Sequence, residues 1–228
     1  MVILQRDCQK SIFIYSFISM YKLFILDFDG TMADTNKIIT DSMQTTLHEA
    51  GLPMRSREEC SKTIGLPLIE CFRALMPLSD EQANRCVGIY HRVFAERNRQ
   101  GAVPIFPGVV EAIKKWHQKG AIITIASSRG HNSLQDFVHE MELEAYVSLI
   151  LGSEDVEIAK PDPCPVLKTL SHFNVSPNDA LVIGDMHFDI LMGRRAGCHT
   201  CGVTYGNGTA KELTDAGAEK LVDSLLEI

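Results

Sequence analysis

The chain has 228 residues, of which 45% are hydrophobic and 22% are charged. This composition excludes a disordered or fibrous protein and suffices for one large core with a smaller insertion. A formal net charge of -7 excludes the basic surface that binds nucleic acid or anionic membranes, and favours small-molecule partners. Seven scattered cysteines, an odd number, predict reduced thiols and a cytoplasmic protein.

The N-terminal region contains a largely apolar stretch, Ser11–Leu26, that is too short to span a membrane. A spanning helix needs about 20 apolar residues, and no small-residue cleavage site follows. The end of the stretch, Leu23–Leu26, leads directly into an acidic motif and is predicted to be a core strand. Because Met20 immediately precedes this strand, we expect translation to start there and residues 1–19 to be an extension with no folded role. A peripheral anchor is the alternative, and no stable membrane association is expected.

Short apolar runs then alternate with longer amphipathic stretches, a pattern typical of a parallel sheet covered by helices. Strands are predicted at Leu23–Asp27, Ala121–Ala126, Ser148–Leu151, Ala180–Ile183 and Thr200–Val203. Thr209 with Glu212 predicts a capping box before the last helix. The expected fold is α/β, a Rossmann-like parallel sheet with helices on both faces, formed by residues 20–34 and 104–228.

Residues 35–103, which we call the helical insertion, contain no strand candidate. Ile39, Met43 and Leu47 recur at helical spacing, and Gly51 predicts the end of that helix. Two capping boxes, Ser56 with Glu59 and Ser79 with Gln82, predict further helix starts. Because the insertion follows the first strand and returns to the α/β core, two connections join it to the core. This arrangement predicts a helical cap that opens and closes over a site.

The segment Asp27-Phe28-Asp29-Gly30-Thr31 follows the first predicted strand. Alternation points the carboxylates of Asp27 and Asp29 the same way, out of the carboxyl edge of the sheet. Two buried acids need a cation, and oxygen ligands of this kind suit Mg²⁺. Gly30 permits the tight turn. A polar turn without chemistry is the alternative.

Three further segments place polar groups at strand ends or in a rigid loop. Ser127 and Ser128 end a strand with hydroxyls that can bind phosphate oxygens, although serines are also common turn residues. Lys160 stands before a proline in a loop and offers one ammonium group, unless it is merely solvated. Asp185 follows an apolar strand, and Asp189 stands where the next helix begins, with a helix cap as its alternative role.

The order and spacing of these four segments resemble those of the haloacid dehalogenase superfamily. The resemblance runs from Tyr21 to the C-terminus, and the helical insertion stands where this family has its helical cap. Within the family, Ile64–Pro67 in the insertion and Gly202–Gly206 in the tail are most similar to the phosphoglycolate phosphatase group.

The resemblance implies a Mg²⁺-dependent phosphatase. Asp27 is expected to attack phosphorus and become an aspartyl phosphate, and Asp29 to give and take the proton. The metal is expected on Asp27, the backbone carbonyl of Asp29 and Asp185, with Asp189 as a support. The residues expected to bind the transferring group are Gly30, Thr31, Ser127, Ser128 and Lys160.

Related activities are separated by single residues. A dehalogenase does not need an acid at position 29, because halide leaves without a proton, and that group lacks it. Hexose-phosphate mutases of the superfamily carry Glu-Asp where this chain has Gly184-Asp185, so a mutase is a minor alternative. The apolar loop Thr63–Leu68 offers little to hold sugar hydroxyls, which ranks phosphoglycolate first and pyrophosphate second. A non-catalytic phosphate-binding protein remains the alternative of another class. The protein is expected to be a monomer or a homodimer.

Other residues have open roles. Arg129 is expected either to bind a substrate carboxylate or to be a surface side chain. His187 and Arg73 are expected to lie outside the chemistry, His187 in a variable loop and Arg73 on a solvated helix face. Cys198 and Cys201 form a C-x-x-C pair without a partner pair, which predicts two small apolar residues rather than a metal or redox site.

Overall fold

The computed structural model describes residues 21–98 and 101–228. The predicted extension, residues 1–19, lies outside the described residues, as does Met20 with most of the apolar stretch before Leu26. Within the described part of the chain, no helix has the length and apolar character needed to cross a membrane.

A six-stranded, fully parallel sheet forms the centre of the molecule. Its strands are β1 Leu23–Leu26, β2 Ile122–Ala126, β3 Val147–Leu151, β4 Ala180–Gly184, β5 His199–Val203 and β6 Lys220–Val222, in the spatial order β3-β2-β1-β4-β5-β6. Because β1 lies between β2 and β4, the residues that follow these three strands meet at one edge of the sheet. The predicted fold class is confirmed.

The helices cover both faces of the sheet and the edge formed by the carboxyl ends of its strands. In chain order they are α1 Asn36–Ala50, α2 Arg57–Ser61, α3 Leu68–Leu75, α4 Asp80–Arg97, α5 Val109–Gln118, α6 His131–Glu140, α7 Cys164–Phe173, α8 His187–Arg195 and α9 Ala210–Ala216. Phe24 and Leu26 pack in one core with α5 and α6, whereas Leu23 and Ile25 pack in a second core with α7 and α8. Alternate residues of one strand thus serve opposite faces, as strand geometry requires. The stacked rings of Phe24 and Trp116, 4.3 Å apart, join β1 to α5.

Helices α1 to α4 form the helical insertion and bury a hydrophobic cluster of their own. As predicted, α1 ends at Gly51, whose φ of 70° is the left-handed conformation that glycine adopts easily. Both predicted capping boxes are present, at Ser56 and at Ser79. The helices expected between residues 35 and 103 are therefore confirmed.

The two chain segments that join the helical insertion to the sheet lie side by side. The Asp34 N–H donates to the Pro104 carbonyl at 2.8 Å, and the Phe106 N–H donates to the Met32 carbonyl at 3.1 Å. Both segments leave from the carboxyl edge of β1. The insertion consequently sits over the edge at which the acidic segments gather.

The strand predictions differ from the structure in two respects. Each of the five predicted strands is present, displaced by one residue at one end. The sixth, β6, was not predicted, because three residues beginning with an exposed lysine show no recognisable alternation. It pairs with β5 at the edge of the sheet.

Candidate active site

Asp27 follows β1 directly and is buried under the helical insertion. Its carboxylate is 2% exposed, and its Oδ1 lies 2.5 Å from the Nζ of Lys160. The same ammonium lies 2.7 Å from Oδ1 of Asp189. Lys160 is equally buried, at 3% side-chain exposure, so the solvated-loop interpretation is wrong. The structure therefore brings three of the predicted residues into one ion-pair cluster.

Asp185 follows β4 and is surrounded by hydrogen-bond donors. Its Oδ1 accepts from the Thr31 hydroxyl at 3.1 Å, and its Oδ2 accepts from the Asn207 backbone at 2.7 Å and side-chain amide at 3.0 Å. Gly30 makes this crowding feasible, because a Cβ there would stand 2.1 Å from Asp185 Oδ2. Gly30 also has a φ of 92°, which side chains rarely adopt. These contacts fix the orientation of the Asp185 carboxylate.

Asp189 combines two roles that were expected to exclude each other. Its Oδ2 accepts from the Met186 N–H at 3.1 Å and caps α8, which is the alternative role that the sequence predicted. Its Oδ1 holds Lys160. Asp189 therefore connects the start of a core helix to the cluster at Asp27.

The electrostatics of this cluster call for a further cation. Burial, opposed by Lys160 and reinforced by Asp189, raises the pKa of Asp27 well above its usual range. Burial and then Asp189 raise the pKa of Asp185 to about 7. Burial alone would lower the pKa of Lys160, but Asp189 and Asp27 raise it overall. One ammonium thus faces three buried carboxylates.

Asp27, Asp185 and Asp189 each offer one oxygen within 4.8 Å of the others. A compact set of carboxylate oxygens fits a hard divalent cation such as Mg²⁺. The side chain of Asp29 does not join this set, since it faces Arg129 instead.

Asp29 and Arg129 form a second buried ion pair. Nη2 and Nε of Arg129 lie 2.5 and 3.1 Å from the Asp29 carboxylate oxygens, and the two side chains are 8% and 12% exposed. The guanidinium carbon also lies 4.9 to 5.6 Å from the ring centres of three phenylalanines, Phe28, Phe94 and Phe137. The surface interpretation of Arg129 is therefore wrong.

The remaining predicted ligands differ in where they lie. Ser127 lines the cavity above Asp27. Ser128 lines it too, but its hydroxyl donates to the Gly65 carbonyl of the helical insertion at 2.7 Å. Gly30 and Thr31 lie behind the cavity, where they accommodate and hold Asp185. Their contacts are with Asp185, and neither residue is among those that line the cavity.

The site opens into a cavity of about 590 Å³ between the α/β core and the helical insertion. Asp27, Asp29 and Arg129 form its floor. Its opposite wall is mainly aliphatic and aromatic and comes from the insertion: Ile39, Met43, Ile64, Leu66, Val87 and Phe94.

Two asparagines that the sequence interpretation overlooked connect the cluster to the helical insertion. Asn36, at the start of α1, donates to Asn207 at 2.6 Å and to Ser61 at 2.7 Å. Asn207 in turn holds Asp185. The Asn-Gly pair at positions 207 and 208, just beyond β5, is the sequence signal of a turn at the same sheet edge.

Apart from Arg129, the residues with open roles lie outside the cluster, as the sequence predicted. Arg73 pairs with Glu70 and Asp80 on the surface of the insertion. His187 packs against the neighbouring Phe188 ring and does not line the cavity. Burial raises the pKa of the Cys198 and Cys201 thiols to about 11 and 12, which agrees with apolar packing.

Comparison with known proteins adds a family to this geometry. A family model described as "Haloacid dehalogenase-like hydrolase" matches residues 24–203. "Probable phosphatase IndB" of Dickeya dadantii is 32% identical, with 92% of each chain covered. The pyrophosphatase PpaX of Anoxybacillus flavithermus is 30% identical over 79% of this chain and 82% of its own. Phosphoglycolate phosphatase 1 of Pseudomonas aeruginosa is 22% identical over 91% and 78%.

A solved structure agrees. The protein named "Putative haloacid dehalogenase-like hydrolase" from Bacteroides fragilis superimposes with a TM-score of 0.85 at 26% identity, covering 91% of this chain and 99% of its own. The family model spans well over half of the sequence, and the fold and the acidic cluster agree with it. The chain belongs to the haloacid dehalogenase-like hydrolases.

Proposed function

We propose that this protein is a Mg²⁺-dependent phosphatase that works through an aspartyl phosphate on Asp27. The observation that carries the proposal is the Asp27 carboxylate itself. It lies on the floor of the cavity, 2.5 Å from a buried ammonium and beside two further buried acids. A carboxylate in such a position can attack phosphorus while positive charge balances the phosphoryl oxygens.

The reaction has two balanced steps. Asp27 would form a bond to phosphorus as the bond to the alcohol oxygen breaks, and Asp29 would give a proton to that oxygen, which requires Asp29 to enter this step protonated and not as the ionised partner of Arg129. Asp29 then takes a proton from water, whose oxygen attacks phosphorus and releases inorganic phosphate from Asp27. Lys160 and Ser127 would hold the phosphoryl oxygens throughout.

Asp27 and Asp185 would hold Mg²⁺ together with the Asp29 backbone carbonyl, and Asp189 would support Lys160. When bound, the metal neutralises charge on the phosphoryl oxygens and on the nucleophile. The helical insertion, residues 35–103, would act as the cap, and residues 20–34 with 104–228 as the catalytic core. The hydrogen bond from Ser128 of the core to Gly65 of the insertion supports the role of the insertion as the cap, because it holds the loop before α3 against the floor of the site.

Pyrophosphate hydrolysis is the second candidate, since the relative from Anoxybacillus flavithermus is named a pyrophosphatase. A hexose-phosphate mutase stays a minor alternative, because Gly184 stands where those enzymes carry glutamate.

Hydrolysis of p-nitrophenyl phosphate tests the proposal. The wild-type chain should release nitrophenol with Mg²⁺ and lose this activity in chelator. Asp27→Asn should reduce turnover on the order of 10⁴-fold or more, because the nucleophile is lost. Mass spectrometry of acid-quenched protein should detect a phosphoryl group on the wild type alone.

Asp34→Asn is the matched control, since Asp34 is an exposed acid near the same strand end. It should keep wild-type turnover. Near wild-type activity in Asp27→Asn would remove Asp27 as the nucleophile, and no activity with any phosphate ester would favour a non-catalytic binding protein.

A further inference from the structure

The cavity above Asp27 is much larger than the substrates ranked first from the sequence. Its volume is about 590 Å³, within the range of roughly 300 to 1,000 Å³ that encloses drug-sized ligands. The leaving group of phosphoglycolate has two carbons, and that of pyrophosphate is a single phosphate. Neither would fill the space between the floor and the helical insertion.

The wall that faces the floor is mainly apolar, although Asn84, Tyr90 and His91 of the insertion also line the cavity. Ile39, Val87 and Phe94 project from α1 and α4, and Ile64 and Leu66 come from the loop before α3. Burying apolar surface against such a wall stabilises a bound ligand, whereas a charged group placed there loses its hydration without compensation.

The charges in the cavity also disfavour an anionic leaving group. Among the described residues that line it, Arg129 is the one side chain with a permanent positive charge. Its N–H groups point to Asp29 and Ser133, and aromatic rings surround its guanidinium. Asp29 and Glu154 add negative charge to the same lining. A second phosphate or a carboxylate would therefore meet no free permanent cation in the described lining, where the one imidazole is that of His91.

From the volume of the cavity, its mainly apolar wall and its charged groups, we propose a substrate class. The substrates are phosphate monoesters of neutral, partly apolar alcohols whose carbon skeleton is about the size of one ring. The inference rests on the phosphatase function proposed above and names its substrate class. The apolar loop Thr63–Leu68 noted in the sequence is present. It lines a space for a larger leaving group instead of excluding one. In this arrangement binding energy from the ring supports attack by Asp27.

A substrate series tests the proposal in the full chain with Mg²⁺. Ethyl and benzyl phosphate both release a primary alcohol, so their difference reports contacts with the ring. We expect kcat/KM for benzyl phosphate to exceed that for ethyl phosphate about tenfold or more. It should also exceed the values for phosphoglycolate and pyrophosphate. A higher kcat/KM for either anionic substrate would overturn the inference.

Val87→Phe fills part of the cavity and supplies a second measurement. It should lower kcat/KM for benzyl phosphate about tenfold and change that for ethyl phosphate less than about twofold, which also shows that the variant folds. Arg85→Phe is the matched control on the same helix, at an exposed position outside the cavity lining, and should leave the benzyl to ethyl ratio unchanged. An unchanged ratio in Val87→Phe would contradict the inference.

The two proposals fail in different ways. An enzyme that hydrolyses esters but prefers phosphoglycolate or pyrophosphate overturns the substrate class and leaves the phosphatase function standing. A chain that hydrolyses no ester and gains no phosphoryl group on Asp27 overturns both.

Discussion

Cys71 holds the loop that forms part of the apolar wall. Its thiol donates to the carbonyl of Thr63 at 3.1 Å and to that of Leu66 at 3.4 Å. Burial raises the pKa of this thiol to about 12, from an ordinary value of 9.0. The neutral thiol is thus the form that the folded loop requires.

This shift predicts alkaline destabilisation. The unfolded chain releases the Cys71 proton near pH 9, whereas the folded chain keeps it until about pH 12. The contribution of the thiol to stability is therefore complete below pH 9 and is lost as the pH rises toward 12. Between pH 8 and 10.5 the free energy of unfolding of the wild type should fall by about 2 kcal/mol relative to Cys71→Ala.

Urea unfolding of both proteins across this range measures the difference. Cys164→Ala serves as the control, since Cys164 is a half-buried cysteine outside the cavity lining. A difference between wild type and Cys71→Ala that does not change with pH would contradict the prediction.

At this scale the sequence identified the residues that follow strands. Asp27, Asp185 and Ser127 were predictable because a short apolar run ends just before each of them. The partners were not: Arg129 meets Asp29 across 100 positions, and Asn207 meets Asp185 through a turn whose path no local pattern specifies. The resemblance implied that Thr31 binds substrate, but no local pattern predicted that its hydroxyl donates to Asp185.

Helix α4 carries Phe94 and Val87 to the cavity and begins at a capping box. The Ser79 hydroxyl accepts from the Gln82 N–H, and the Gln82 side chain accepts from the Ser79 N–H. These bonds satisfy N–H groups that the helix leaves without partners at its start.

Loss of this cap should weaken the helical insertion. Ser79→Ala is expected to lower the free energy of unfolding by about 1 kcal/mol, because a helix N–H loses its acceptor. Chemical denaturation measures the change. Ser171→Ala, an exposed serine in α7, is the control and should stay within about 0.5 kcal/mol of the wild type. Equal effects of the two substitutions would contradict the role of the cap.

Elements were more predictable than contacts between them. Capping boxes at Ser56, Ser79 and Thr209 appear in the structure because each depends on residues three positions apart. Strand β6 escaped prediction, since a three-residue edge strand is defined by its pairing with β5 and not by its own pattern.

At the scale of the whole molecule, the proposed metal site predicts that stability depends on Mg²⁺. If Asp27 and Asp185 hold Mg²⁺, then Mg²⁺ at 100 times its dissociation constant adds about 2.7 kcal/mol, or about 5 to 10 °C in Tm. Thermal unfolding with and without Mg²⁺ measures the shift.

Two variants make this test specific. Asp185→Asn should lose the shift, whereas Asp179→Asn, at a surface ion pair with Lys22, should keep it. A full shift in Asp185→Asn would place the metal elsewhere.

The size of the cavity was beyond prediction from sequence. It depends on how the helical insertion packs on the core, through contacts such as Ser128 with Gly65 and Arg129 with Phe94. Each joins residues that are distant in the chain, so the apolar loop was visible in the sequence but the space beneath it was not.

The paired connections of the helical insertion affect how the sequence of such a protein can change in evolution. Asp34 and Pro104 are hydrogen-bonded neighbours, so everything between them begins and ends at one place on the core. Another unit with adjacent ends can replace residues 35–103 without moving a strand of the sheet. Residues 35–103 thus form a replaceable unit. Exchanging this unit between relatives would alter which substrates the enzyme accepts, while the catalytic residues of the core stay in place.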